Sequence, residues 1–400
     1  MRILVTASTF PAGIEDGSRP RFVYDLAEAL SAHARVYALA PHHPGAPLRE
    51  RMGSVEVERF RYWWPASAER LTPNMRQQLR SSLLAKVQVP FFVGAQVRAI
   101  RRLVARHGID VVNAHWVVPQ GLSAALVRGR HAPRFRLALH LHAGDVYLLE
   151  RLPAGRSVAR YVAGRSDVLF ADGSHVRSTF SGLLGRDCGA RLQPMGVHAD
   201  GFGRPAPSLV REGPAPHGGD FVLFVGRLVE KKGTVHLVRA MPAVRERHPG
   251  IRLVLVGSGP EEAALRAEVS RLGLDGLVAF LGHRPHPDVV AHLHRCRVAA
   301  VPSIVDRHGE TEGMPTVVVE AMAAGVRVVA SAVDGIPDVV RHGENGWLCR
   351  EKDPADLAEK LLLALDDPPE SDVVRSAVRT ARLYDWAEVA RHYMDALARR

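Results

Sequence analysis

The sequence predicts an α/β protein built from two doubly wound domains, and three observations carry that expectation. At 400 residues the chain exceeds what one ordinary hydrophobic core holds. Short apolar runs alternate with helical patterns through both halves, as parallel strands joined by helical crossovers do. Between the halves, residues 203–219 gather Pro205, Pro207, Pro214 and Pro216 among glycines, which marks a linker. The expected division is therefore a first domain over 1–203, a linker over 204–219, a second domain over 220–372 and a helical end over 373–400.

In the first half, strands are expected at 3–7, 34–39, 55–60, 111–114, 137–142, 168–171 and 191–193, with an amphipathic helix over 22–33. The second half restarts the rhythm, with strands at 221–225, 252–256, 278–280, 298–301, 326–330 and 347–349. Helices are expected between them at 235–247, 261–272, 287–295, 315–324, 336–340 and 354–365. Ligands of such sheets bind beyond the carboxyl ends of the strands. Every motif considered below sits at one.

Composition narrows the class. With 46% hydrophobic and 24% charged residues the chain reads as globular and soluble. Cys188, Cys296 and Cys349 are widely spaced, in no metal-like pattern, and read as reduced thiols of a cytoplasmic protein. The first apolar run is too short for a signal peptide, and no run approaches about 20 apolar residues, so no transmembrane helix is expected. The net charge of +11 belongs to the first half, where residues 1–200 carry 27 Lys+Arg against 15 Asp+Glu. Residues 70–109 hold Arg70, Arg76, Arg80, Lys86, Arg98, Arg101, Arg102 and Arg106 without one acidic residue. Interleaved with Leu83, Leu84, Val87, Phe91, Phe92, Ile100 and Leu103, this stretch suits an anionic membrane surface, or equally a solvated helix face. No nucleic-acid motif accompanies the charge, so nucleic acid is not an expected partner.

Two carboxylates carry the most chemistry. In Glu312-Gly313-Met314-Pro315-Thr316-Val317-Val318-Val319-Glu320-Ala321-Met322 they bracket the start of an otherwise apolar helix, with Pro315 suited to its first position. A carboxylate in such a helix needs donors, supplied either by a polyhydroxyl ligand or by a core arginine. The helix entrance over 313–316 would itself favour an anion such as a diphosphate. Gly226-Arg227-Leu228-Val229-Glu230-Lys231-Lys232-Gly233 follows the first strand of the second half, where Arg and Lys can neutralise a diphosphate. Gly257-Ser258-Gly259-Pro260 and Gly282-His283-Arg284 end the next two strands. In the first half, His140 and His142 alternate onto one strand face ahead of Asp145, and His115-Trp116 ends the strand before.

The run EGMPTVVVEAMAAG, followed by VRVVAS and DGIPDVV, resembles the E-x7-E signature of family 4 glycosyltransferases, retaining enzymes of the GT-B fold. That resemblance implies two Rossmann-like domains facing a cleft, with residues 373–400 crossing back to the first domain. It implies Glu320 on the ribose, and Gly313, Met314, Pro315 and Thr316 at the helix entrance beside the phosphates. Glu312 falls to the transferred sugar, and Arg227 and Lys232 to the diphosphate, with Lys231 the less favoured lysine. Gly226, Gly257, Gly259 and Arg284 line the nucleotide, while His142, in the position of the T-L-H-x-x-D element, meets a sugar hydroxyl. His115-Trp116 and Pro119-Gln120-Gly121 resemble the element lining the acceptor side, and the loop over 10–20 is expected to face the ligands.

The implied reaction is retaining transfer of a hexose from a UDP- or GDP-sugar to a glycan, lipid-linked or small-molecule acceptor, in envelope or exopolysaccharide synthesis. No cofactor is expected, and no metal, since Arg and Lys supply the positive charge and no Asp-x-Asp pair occurs. The implied location is cytoplasmic, peripheral to the inner face of the plasma membrane. Against the family pattern, Gly-Gly is missing from the first loop (14–18), His198 stands for Asp, Arg327 for Pro and Asp334 for Gly. The competing readings are a non-catalytic subunit or membrane scaffold of the same fold, and a nucleotide-sugar epimerase.

Overall fold

A computed structural model of the chain describes residues 1–13, 20–72, 75–128, 135–202 and 220–398. These form two compact units, Met1–Gly196 with Trp386–Arg400, and Val197–Asp385. The expected linker over 204–219, and the loop departures over 14–18, lie outside the described residues.

The first unit is an eight-stranded sheet of β1 (Arg2–Thr6), β2 (Arg35–Pro41), β3 (Arg49–Met52), β4 (Val55–Phe60), β5 (Val111–His115), β6 (Arg136–Leu141), β7 (Val168–Ala171) and β8 (Arg191–Leu192). Their order is β3-β4-β2-β1-β5-β6-β7-β8, parallel except for β3. Helices α1 (Phe22–Ser31), α2 (Met75–Ser81), α3 (Leu83–His107), α4 (Leu122–Val127), α5 (Ala143–Arg151), α6 (Gly155–Ala163) and α7 (Ser174–Leu184) flank it. Strand β1 shows why both faces must be covered, because Leu4 enters one core while Ile3 and Val5 enter the other. Strand β3 was not anticipated. Its Arg-Glu-Arg-Met sequence has no apolar run, which suits an edge strand that must not recruit another chain.

Helix α3 corrects two expectations. It is, by length and composition, apolar enough to cross a membrane, which the sequence reading had excluded. Yet Phe92, Ile100 and Leu103, read there as a surface mixture, pack in the core of this unit, and buried Gln96 bonds Thr6 and Ser123. That makes it a core helix with one open face. Ser82 caps its start, and Gly108 ends it at φ 59°, a conformation glycine adopts without steric cost.

The second unit is a six-stranded parallel sheet of β9 (Phe221–Val225), β10 (Arg252–Val256), β11 (Val278–Gly282), β12 (Val298–Val301), β13 (Arg327–Ser331) and β14 (Trp347–Cys349). Its order, β11-β10-β9-β12-β13-β14, reverses direction between β9 and β12. That is the switch point at which doubly wound sheets bind ligands. Helices α8 (Thr234–Arg247), α9 (Glu262–Arg271), α10 (His286–Leu293), α11 (Thr316–Ala323), α12 (Pro354–Asp366) and α13 (Asp372–Arg382) cover its faces, and α14 (Trp386–Ala398) follows. The helix expected over 336–340 is a short 3-10 turn, Ile336–Asp338.

The chain end does not cross over at 373. Helix α13 stays with the second unit, where Ala377 and Ala381 share a core with α11, and only α14 joins the first. There Trp386, Val389, Ala390 and Tyr393 pack with Ile3, Val5 and Leu26.

Candidate functional site

The second unit gathers its predicted residues at the switch point. Lys231 and Lys232 lie in a 3-10 turn after β9, and Glu312 lies in the loop after β12. The two loops meet because β9 and β12 are neighbours. Lys231 Nζ is 2.9 Å from Glu312 Oε1, and Lys232 Nζ is 2.9 Å from Oε2. Both lysines thus contact the same carboxylate, one on each oxygen. Burial alone would push the Glu312 carboxyl up; the two ammonium groups, Lys232 foremost, outweigh it and hold it down at about 2. The triad's stabilising charge is thus complete above the ordinary carboxylate range and lost only as pH falls towards 2.

Glycines make this approach possible. Gly233, at φ 63°, has no room for a side chain, since a Cβ there would stand 1.9 Å from Pro302 O. A Cβ on Gly257 would meet Gly226 O at 1.9 Å, and one on Gly259 would meet Leu228 O at 2.2 Å. The loop after β10 thus lies directly on the loop after β9, locked by Leu228 N donating to Ser258 O and Glu261 N to Leu228 O. A Cβ on Gly226 would press on the Lys232 stem at 3.4 Å. Gly257 N also donates to Gly282 O, which brings exposed Arg284 to the same rim. Arg227 is exposed, and its guanidinium has no partner among the described residues. Of the charged groups predicted to meet a diphosphate, it is the one left open.

Pro315 proves to be the cap, not the first residue, of α11. The helix is also less enclosed than expected: Thr316, Glu320 and Ala323 form a half-buried stripe, while Val317, Val318, Val319, Ala321 and Met322 are buried. Met314 packs against the apolar core beneath, and Gly313 O accepts from Gly335 N, tying the helix entrance to the loop after β13. Asp334 in that loop has φ 53°, the left-handed conformation for which the family's glycine is suited. Among the described residues no core arginine pairs with Glu320. Burial pushes its carboxyl up to about 7, opposed by its hydrogen bond with Thr316 and by the Lys232 charge. His286 Nε2 stands 4.0 Å from it.

In the first unit the structure joins residues that the sequence left separate. His142 Nδ1 lies 2.6 Å from Asp172 Oδ2, and its Nε2 lies 3.1 Å from His115 Nδ1. Neither ring nitrogen is thus left open for a sugar, contrary to the simplest form of the expectation. His140 Nε2 lies 2.7 Å from Asp172 Oδ1, and its Nδ1 bonds the Tyr393 hydroxyl. Asp145 accepts from the backbone N–H groups of Val117 and His142, and burial raises its carboxyl to about 6. Trp116, beside His142, is held at φ 76° by hydrogen bonds to His140 O and from Gly121 N, backbone strain of the kind found at functional sites. Buried Gln120 bridges His115 O and Ser8 N.

Asp172, Tyr393 and His115 as a ring partner carried no signal in the sequence, since each comes from an element far along the chain. The His140–Asp172–His142 group also has the residue types of a metal site, its ligand atoms lying within 4.8 Å of one another. Its N···O distances of 2.6 and 2.7 Å are those of direct charge-assisted hydrogen bonds.

Comparison with known proteins agrees with this geometry. The family "Glycosyl transferases group 1" matches residues 207–381. The chain is 34% identical over 278 residues to the GDP-mannose-dependent alpha-(1-6)-phosphatidylinositol monomannoside mannosyltransferase of Mycobacterium tuberculosis, covering 67% of this chain and 70% of that protein. It is 28% identical over 361 residues to the putative colanic acid biosynthesis glycosyltransferase WcaL of Escherichia coli, covering 88% and 81%. Among solved structures, sucrose-phosphate synthase from Thermosynechococcus elongatus superposes with a TM-score of 0.75 at 22% identity over 99% of this chain and 98% of that one. Anabaena Alr3699/HepE, solved with UDP and glucose, gives 0.71 at 21% identity over 100% and 99%.

The raised Glu320 carboxyl generates a stability prediction. Its ordinary value is 4.5 and its folded value about 7, so ionisation opposes folding fully above pH 7 and not at all below 4.5. Glu320→Gln is expected to raise Tm at pH 8, with a gain bounded by about 3 kcal/mol, and to leave Tm unchanged at pH 4. Equal effects at both pH values in a thermal melt would contradict the assignment.

Proposed function

We propose a specific reaction for this chain, which belongs to the glycosyl transferases group 1 family and is a glycosyltransferase: retaining transfer of a hexose from a UDP- or GDP-sugar, without a metal. The observation that carries this reading is the Glu312 carboxylate gripped by Lys231 and Lys232 at the switch point, beside an unpartnered Arg227. Removing one member of a buried ion pair leaves an uncompensated charge, but exchanging one anion for another does not. A donor diphosphate can take over the two lysines, with Arg227 as its first contact and the N–H groups at the start of α11 as further donors. Glu312, released, then accepts hydrogen bonds from the sugar, and Glu320 accepts them from the ribose. Three cations around the departing diphosphate supply leaving-group stabilisation, the main electrostatic demand of glycosyl transfer. His142 of the first unit is assigned to a hydroxyl of the bound sugar. Retention by front-face attack is the stereochemical course that the resemblance implies.

Both donor bases remain in the proposal, because the mycobacterial relative is named GDP-mannose-dependent and the Anabaena protein was solved with UDP. The acceptor proposed is a glycan, lipid-linked or small-molecule acceptor of envelope or exopolysaccharide synthesis; one relative is named for a phosphatidylinositol monomannoside and another for colanic acid biosynthesis. A thermal-shift panel of UDP, GDP, ADP and their sugars checks the donor site. At least one nucleotide diphosphate is expected to raise Tm, and Glu320→Ala to weaken its binding about tenfold or more, the loss of hydrogen bonds to a charged group. No shift with any nucleotide would favour the non-catalytic subunit. Interconversion of nucleotide sugars without acceptor would favour the epimerase.

A peripheral, cytoplasmic-side membrane partner is proposed for the first unit. Helix α3 exposes Leu83, Val87 and Phe91 near exposed Trp64, with Lys86 among them and Arg98, Arg101 and Arg102 further along. A groove of about 650 Å³ beside it is lined by Arg49, Arg59, Arg61, Arg98 and Arg102 against Glu58. Flotation with phosphatidylcholine vesicles, with and without phosphatidylglycerol, is expected to show binding only to the anionic ones. Trp64→Ala with Phe91→Ala is expected to weaken it several-fold. Equal, negligible binding to both vesicle types would contradict this partner.

A further inference from the structure

Five side chains form one unbroken hydrogen-bonded line through the first unit: Tyr393, His140, Asp172, His142 and His115. They come from four separate elements, α14, β6 with the residue after it, the end of β7 and the end of β5. All five lie in the interior, and His115 and His140 are fully buried. The imidazoles stack, with the His140 and His142 ring centroids 4.6 Å apart.

The chemistry of the groups fixes the direction of three of the four bonds. Asp172, as a carboxylate, only accepts, so His140 Nε2–H and His142 Nδ1–H both donate to it. Two imidazole partners hold its carboxyl well below the usual range despite its burial. His140 then has Nδ1 left as an acceptor, and the Tyr393 hydroxyl, whose pKa burial raises well above the ordinary value, donates to it. His142 is opposed by burial but supported by Asp172 and by Asp145 of α5, so its pKa rises, while burial lowers those of His140 and His115. The remaining elements around the ring present Phe22 from α1, 5.7 Å away, and Trp116 after β5, 4.7 Å away, neither of them charged. The one nitrogen of His142 not engaged by the carboxylate, Nε2, lies 3.1 Å from His115 Nδ1.

We propose that Asp172 is a positioning residue for the transfer reaction: its carboxylate, shared between His140 and His142, fixes both tautomers and holds the His142 ring with its Nε2 parked on His115 until a sugar hydroxyl takes that place. Tyr393 closes the far end of the line by fixing the tautomer of His140. Nothing is transferred covalently in this exchange; one hydrogen-bond partner replaces another. The role in transfer rests on the assignment of His142 to the bound sugar. The line itself does not.

The test uses the full chain labelled with nitrogen-15 in its histidine rings, followed by NMR across pH without substrate. Wild type is expected to show a His142 midpoint above that of an ordinary histidine, with its Nδ1 protonated throughout, and His140 neutral with its proton on Nε2. D172N is expected to lower the His142 titration midpoint by at least one pH unit, and Y393F to perturb His140 Nδ1 while leaving the His142 midpoint in place. Should D172N not fold, Y393F and the wild-type tautomers still decide the matter. A neutral His142 with its proton on Nε2 in wild type, an unmoved midpoint in D172N, or ring shifts that change on addition of EDTA would each overturn the line. Its role in transfer is read with the donor identified by the nucleotide panel. D172N is expected to lower kcat at least tenfold and to shift the pH profile towards acid, with the Kd for the nucleotide unchanged. A kcat and pH profile equal to wild type would overturn the positioning role. Failure of nucleotide binding in wild type, with the His142 midpoint still falling in D172N, would overturn the transferase reading and leave the line intact.

Discussion

The second unit is organised around one carboxylate, Glu312, held between two ammonium groups. Two unlike charges so poorly hydrated are tolerated only when geometry is good on every side, and here it is, with both lysine contacts at 2.9 Å. Everything nearby serves that approach. The reversal of strand order between β9 and β12 makes the two loops neighbours, and Gly233 lets the lysine turn press against Pro302. Gly257 and Gly259 bring the third loop into contact with the first. In the proposed reaction the two lysines exchange this carboxylate for the diphosphate of the donor.

The first unit poses the same electrostatic problem and solves it with imidazole rings. Asp172 is as enclosed as Glu312, but its counter-groups are imidazoles, whose charge depends on which neighbour holds a proton. A lysine clamp supplies fixed charge for an anion; a histidine line supplies a donor whose direction can be set. The two units thus carry complementary chemistry, a permanent cationic site and a tunable hydrogen-bond donor.

Much of this was legible in the sequence, wherever the signal was local. Buried parallel strands announce themselves as apolar runs, and those expected end within two residues of the strands observed. The Glu312–Glu320 segment, the glycine turns and the Arg-Lys loop each follow a strand, so their convergence followed from the fold. What escaped depends on which elements become neighbours. Asp172 lies 30 residues from His142, and Tyr393 lies 253 from His140. Lys231 could not be ranked against Lys232, because a short 3-10 turn places two adjacent side chains on one carboxylate. Strand β3 had no apolar run to betray it, and the break between α13 and α14 falls at Leu383-Tyr384-Asp385, which holds neither Gly nor Pro.

The central claim is that the two lysines exchange Glu312 for the diphosphate of the donor. The most direct measurement is a carbon-13 titration of the Glu312 carboxyl, with and without a saturating nucleoside diphosphate. The account predicts a value near 2 in the free protein that rises by more than one pH unit in the complex, as the lysines turn away and a second anion arrives. A bound nucleotide that leaves the Glu312 titration where it was would contradict it.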